Sequence, residues 1–165
     1  MLIDRIRAAL AGSLPKADKA AEPEEDGSPV EIACAALLAE AAGMDEQFDP
    51  VERSTILTLL QRRFELDGPA AERLLEQGKA AGDEASSYYR FTRAINDSWD
   101  DEARTELIYL LWSVVCADGR IDPYEDMLVR RIAGLLHVPD RARGEARRRA
   151  VASLPDHSKP TEDCP

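Results

Sequence analysis

Aromatic side chains are scarce in this sequence: Phe, Trp and Tyr make up 5% of 165 residues, although 44% are hydrophobic. A core with few rings must be built from Ala and Leu, which suits packed helices better than sheets. Cysteine is sparse too, and its three copies, Cys34, Cys116 and Cys164, form no C-x-x-C pair. That spacing argues against a disulfide framework and against a zinc site. Cys34 and Cys116 read instead as buried thiols acting as small hydrophobes; binding of a soft metalloid there has no support from spacing. With only His137 and His157, a histidine-rich metal site is excluded. No run of about 18 apolar residues exists to span a bilayer. Met1 to Ala11 carries Asp4, Arg5 and Arg7 and is no secretory signal, so a soluble, cytoplasmic protein is expected. A glycine-rich phosphate loop, G-x-S-x-G and H-E-x-x-H are all missing. So is the co-chaperone tripeptide His-Pro-Asp, which Leu154-Pro155-Asp156-His157 does not supply. No enzyme activity is expected. Basic residues are outnumbered 21 to 32, a net charge of −11, so a nucleic-acid backbone would be repelled rather than bound.

What the chain does have, it has twice. Asp45 to Glu52 reads D-E-Q-F-D-P-V-E and Asp118 to Glu125 reads D-G-R-I-D-P-Y-E, a constant 73 positions apart. Leu37 and Leu38 match Leu110 and Leu111, Phe48 matches Ile121, Ile56 matches Val129, and Leu59 matches Ile132. An ungapped match of this length indicates a duplicated helix, acidic turn, helix unit. Ile56, Leu59, Leu60 and Phe64 fall on one helical face, as do Tyr124, Leu128, Ile132, Leu135 and Leu136.

The acids have a mechanical reading. Asp49 and Asp122 stand where an N-cap is wanted, Pro50 and Pro123 follow at the first helical position, and Glu52 and Glu125 fall where they complete a capping box. Asp45 and Asp118 are not explained this way, since they end the preceding helix, where the dipole disfavours a carboxylate. Asp118 to Glu125 also reads like the second half of an EF-hand loop, whereas Val114 and Cys116 stand where its first acidic ligands belong. Two readings therefore stand together: structural caps with a solvated acid, or a weak oxygen-ligand site for Ca²⁺ or Mg²⁺ formed by Asp45, Asp49, Glu52, Asp118, Asp122 and Glu125. A metal-dependent hydrolase on these carboxylates ranks below both, because hydrolytic sites usually add histidine or another titrating group.

The paired A-[DE]-G-x-[ILF]-D-P-x-E pattern, each copy behind an apolar helix, resembles the TerB-like family of tellurite-resistance modules. It is similar also to the related domain of membrane-anchored DnaJ-like co-chaperones. The resemblance covers Glu31 to about Ala150, including Tyr88 to Asn96 between the copies; the first copy departs from the pattern, with Gly-Met-Asp-Glu-Gln in place of Ala-Asp-Gly. It implies an all-α bundle with quasi-two-fold symmetry, an acidic metal-binding surface at the six carboxylates, and a non-catalytic role in a stress or metal-resistance assembly. Protein partners, among them a membrane-associated resistance complex, follow from the same likeness. The alternative is a protein–protein adaptor whose acids are only caps.

Along the chain, Leu2, Ile6 and Leu10 mark a short amphipathic helix over 1–12, and 13–29 reads as a flexible linker rich in Pro, Ala, Lys and Glu. Seven helices are expected within the domain at 30–152, near 30–44, 50–65, 69–81, 85–98, 101–117, 123–137 and 139–152, followed by a disordered tail over 153–165. Tyr88, Phe91, Ile95 and Trp99 recur at helical spacing and read as core. Arg141, Arg143, Arg147, Arg148 and Arg149 give the last helix a basic character, read as a solvated face near a helix C-terminus or as a docking surface for an acidic partner or anionic lipid.

Overall fold

Most helices here begin where a side chain accepts from otherwise unpaired amides; the last, behind Pro139, has no such cap. In the computed structural model, which describes residues 27–43, 49–82 and 87–155, seven helices follow one another: α1 Pro29–Ala41, α2 Pro50–Phe64, α3 Gly68–Gly82, α4 Ser87–Ser98, α5 Asp101–Val115, α6 Pro123–Leu135 and α7 Asp140–Ala152. Ser28, Asp49, Asp100 and Asp122 are the side-chain caps of α1, α2, α5 and α6, and the Asp67 carboxylate accepts from Ala70 N at 2.8 Å in the first turn of α3. No strand occurs among the described residues. The fold is all-α, as expected, and each helix lies within three residues of its expected bounds. The N-terminal amphipathic segment, most of the linker and the tail beyond Pro155 lie outside the described residues. Past the end of α7, Ser153 N–H bonds to the Arg149 and Ala150 carbonyls, and Leu154 packs on the core.

Two helices are apolar nearly all round and therefore lie at the centre. In α1, Ala33 to Ala39 are all buried, and in α5 so are Leu107, Ile108, Leu110, Leu111, Trp112, Val114 and Val115. The two touch one another, and each carries a close companion, α3 on α1 and α7 on α5. Helices α2 and α6, the ones the acidic turns lead into, lie across both central helices. Helix α4 fills the remaining side against α1 and α6, burying Phe91 and Ile95.

The α1/α3 crossing is set by small residues. A Cβ at Gly78 would lie 2.7 Å from Ala36 N and 2.8 Å from Ala35 C and Cβ, so the absence of that side chain fixes how closely the two backbones approach. Fully buried Leu37, Leu38, Ile56, Leu60, Leu75, Ile95, Leu107, Ile108, Leu111, Ile132 and Leu136 supply the larger volumes, each worth roughly 1.5–3 kcal/mol of burial. Tyr124 departs from the expected apolar stripe of its helix: it is 53% exposed, because the second position of α6 points away from the core.

Helix α6 ends in a Schellman-type turn, with Val138 N bonded to Ala133 O at 2.9 Å and His137 N to Gly134 O at 3.1 Å. The left-handed position at its centre is His137, φ +58°, where glycine is usual and a side chain costs about 1 kcal/mol.

Candidate functional site at the paired acidic turns

Each turn is anchored by its cap. In the first, Asp49 is extended and its Oδ1 accepts from Val51 N at 2.8 Å, with Pro50 opening α2. In the second, Asp122 Oδ1 accepts from Tyr124 N at 2.7 Å, and Glu125 Oε2 accepts in return from Asp122 N at 3.0 Å, which closes the capping box. The box expected at Glu52 does not form. That carboxyl turns inward and is 7% exposed, one of two buried polar residues of the described chain.

Asp118, which neither capping nor the dipole required, has a local role that spacing did not reveal. Its Oδ1 accepts from Arg120 N at 2.8 Å, an Asx-type turn, while Gly119, at φ +80°, donates to Cys116 O at 2.9 Å. Glycine suits that left-handed position. The first turn has its own left-handed glycine, Gly43 at φ +62°. Asp45 lies outside the described residues.

The two turns face each other electrostatically. Burial pushes the Glu52 carboxyl up to about 7, and Asp118, Asp49 and Glu125 push it in the same direction. Two of those three neighbours belong to the other turn. Burial also raises Glu125, an effect that Asp118 and Asp122 reinforce and the bond from Asp122 N–H partly offsets. Protonation relieves this concentration of negative charge, and so would a cation. Hard carboxylate oxygens are the right donors for Ca²⁺ or Mg²⁺. Among the described residues, however, no group of three or more carboxylates, thiols or imidazoles is close enough to hold an ion as it stands.

The thiols are chemically quiet. Cys34 and Cys116 are buried; burial pushes Cys34 up to about 12 and Cys116 up to about 11, far above the range where a thiolate is available as a soft ligand.

The arginines of α7 are more than a solvated face. Arg147 lies over the Trp112 ring at 5.2 Å and Arg149 over Tyr109 at 3.8 Å, while Arg149 also bonds to Glu106 at 2.9 Å. Arg141 pairs with Glu145 and Arg143 with Asp140. Sequence periodicity placed these cations on one helix but could not show aromatic rings beneath two of them. It missed a second contact at the end of α1: Tyr88 OH donates to Glu40 Oε1 at 2.5 Å, with Tyr124 beside it. Burial, followed by this bond, raises the Tyr88 phenol above its ordinary range.

Comparison with known proteins adds three findings. The sequence profile described as tellurite resistance protein TerB matches residues 31–148. No curated protein matches the chain. The fold is similar to the crystal structure of a protein of unknown function from Porphyromonas gingivalis W83, with a TM-score of 0.53 and 23% identity, over 76% of this chain and 91% of that one.

Proposed function

The chain belongs to the tellurite resistance protein TerB family, and from that premise we propose that it is a non-catalytic, cytoplasmic module of a tellurite or metal-stress assembly that binds a divalent cation weakly across its paired acidic turns. The observation that carries this reading is the buried Glu52 carboxyl, raised to about 7 with Asp118, Asp49 and Glu125 among the causes. Carboxylates from both halves of the duplication are thereby forced into mutual repulsion, an arrangement that costs free energy unless a proton or a cation offsets it. Asp45, Asp49, Glu52, Asp118, Asp122 and Glu125 are the side chains that would hold Ca²⁺ or Mg²⁺. Because the carboxylates among the described residues are not gathered around one point beforehand, side-chain rearrangement would have to accompany binding, which favours weak affinity. Tellurium chemistry at thiolates is disfavoured by the raised Cys34 and Cys116.

The second reading, a protein–protein adaptor with purely structural acids, is favoured by the capping bonds of Asp49 and Asp122 and the Asx turn of Asp118. Ligand linkage separates the two, since an ion that binds only the folded state raises stability by RT ln(1 + [L]/Kd). Thermal melts in chelator and in millimolar Ca²⁺ or Mg²⁺ at constant ionic strength should show a rise for wild type and none for Asp118→Asn. Asparagine keeps an oxygen for Arg120 N–H while removing the charge. A wild-type melting temperature indifferent to both ions, with no heat of binding, would leave the adaptor reading in front.

A further inference from the structure

Three of the four large apolar side chains exposed on the described surface belong to α4 and α6, which meet along a seam. Tyr89 is 67% exposed, Met127 58% and Tyr124 53%. Tyr124 lies beside Tyr88 of α4, and Met127 sits three residues further along α6, on a neighbouring part of the same helix surface. Beyond them the seam opens into a groove of about 510 Å³, lined by Tyr89, Arg93 and Asn96 from α4 and by Gly134, Leu135 and His137 from the end of α6. A Cβ built at Gly134 would meet nothing within 4 Å. No described element covers this strip, although solvent-exposed Tyr and Met at such density mark contact surfaces more often than free ones.

We propose that the occupant of this seam is the chain's own N-terminal segment, Met1 to Gly12, which lies outside the described residues. Its composition suits the strip. Leu2, Ile6 and Leu10 recur every four residues, with Ile3 beside them, so a helix there carries one apolar stripe, and at 12 residues it is too short to be stable alone in water. Its length as a helix, about 18 Å, matches several turns of seam. Its cations, Arg5 and Arg7 against one Asp4, suit the Tyr124 end, which is the second acidic turn with Asp122 and Glu125; Asp126 there is already paired with Arg130. The tether is long enough. The described chain starts at Gly27, at the head of α1, and Tyr88 at the start of α4 bonds to Glu40 near the foot of α1. Helix α4 packs along α1, so it runs back toward the head, where the chain emerges. The 14 intervening residues, 13–26, would reach on the order of 20 Å as a flexible chain, comparable with the length of α1. A tether of that size holds the segment at millimolar effective concentration, so shallow contacts suffice.

The test uses the full chain labelled with ¹⁵N, in chelator, so that cation binding at the acidic turns does not enter. Ile6→Asp combined with Leu10→Asp should displace the amide resonances of Tyr89, Arg93, Met127 and Gly134, by an amount independent of protein concentration. The reciprocal pair, Tyr89→Asp with Met127→Asp, should displace the amides of residues 2–10; both changes are on exposed positions, outside the core. Seam amides that ignore the N-terminal substitutions, or displacements centred on α7 instead, would overturn the proposal. Displacements that vanish on dilution would overturn it as well, and would assign the seam to a second copy of the chain.

Discussion

Replacing Glu52 by Gln should stabilise the protein, and only above a definite pH. The side chain is buried, and its carboxyl titrates near 7 in the folded chain against an ordinary 4.5. Below about pH 4.5 the group is protonated in both folded and unfolded states and contributes nothing to the pH dependence. Between the two values the folded chain holds a proton that the unfolded chain has lost, so stability falls as pH rises, and the loss is complete above the folded value. At 1.36 kcal/mol per pKa unit, the full span corresponds to about 3 kcal/mol, and sharing of the charge with Asp49, Asp118 and Glu125 reduces this to about 2. Glutamine has nearly the same shape and cannot ionise. The stability difference between variant and wild type should therefore increase by about 2 kcal/mol from about pH 5 to about pH 8. Urea unfolding in chelator, followed by far-UV circular dichroism at several pH values, measures that difference directly. A difference that is flat across this range refutes the burial of Glu52 beside the other carboxylates, because a solvated Glu52 would have finished titrating below the window. Adding Ca²⁺ or Mg²⁺ gives the same experiment a second use: an ion held by these carboxylates lowers the Glu52 value and shrinks the difference.

Asp122→Ala should cost about 0.5–2 kcal/mol in chelator, and more than Asp49→Ala, because it opens a two-way capping box while Asp49 makes one bond to Val51 N; urea midpoints with unchanged slope would measure both. Gly78→Ala should cost about 1–3 kcal/mol or more, since its new Cβ lands within 2.7 Å of Ala36 N, against the gain of a few tenths to 1 kcal/mol expected for Gly→Ala at an unobstructed helical site. Cys34 and Cys116 should react with a disulfide reagent only at the rate of unfolding, given their burial and raised values, and rapid native-state modification of either, located by mass spectrometry, would contradict the packing of α1 and α5.

Local chemistry was legible in the sequence because it depends only on spacing. Asp-Pro at 49–50 and 122–123 fixes a cap and a first helical residue whatever surrounds it, and both helices start at those prolines. The repeating Leu and Ile positions located the central helices for the same reason. Spacing could not tell Glu52 from Glu125. Both occupy the third helical position of the same motif, yet Glu125 bonds back to Asp122 N–H while Glu52 is buried, with Asp118 and Glu125 of the other turn acting on its charge. That difference is set by the approach of the two halves across α1 and α5, a long-range relation that no eight-residue pattern encodes. Asp118 shows the same limit from the other side, since spacing offers it no local partner, yet its oxygen accepts from Arg120 N–H only two residues away. One carboxylate can close a turn and still load its neighbour with charge, so Asp118→Asn, which keeps the acceptor and removes the charge, should lower the Glu52 value while leaving the turn intact. Asp118→Ala should lower it equally and lose the turn, and the stability gap between these two variants at about pH 5, where Glu52 remains protonated, measures the turn alone, at about 0.5–1.5 kcal/mol for one hydrogen bond. Equal stabilities at that pH would mean that the bond to Arg120 contributes nothing, and that the acid at 118 acts only through its charge.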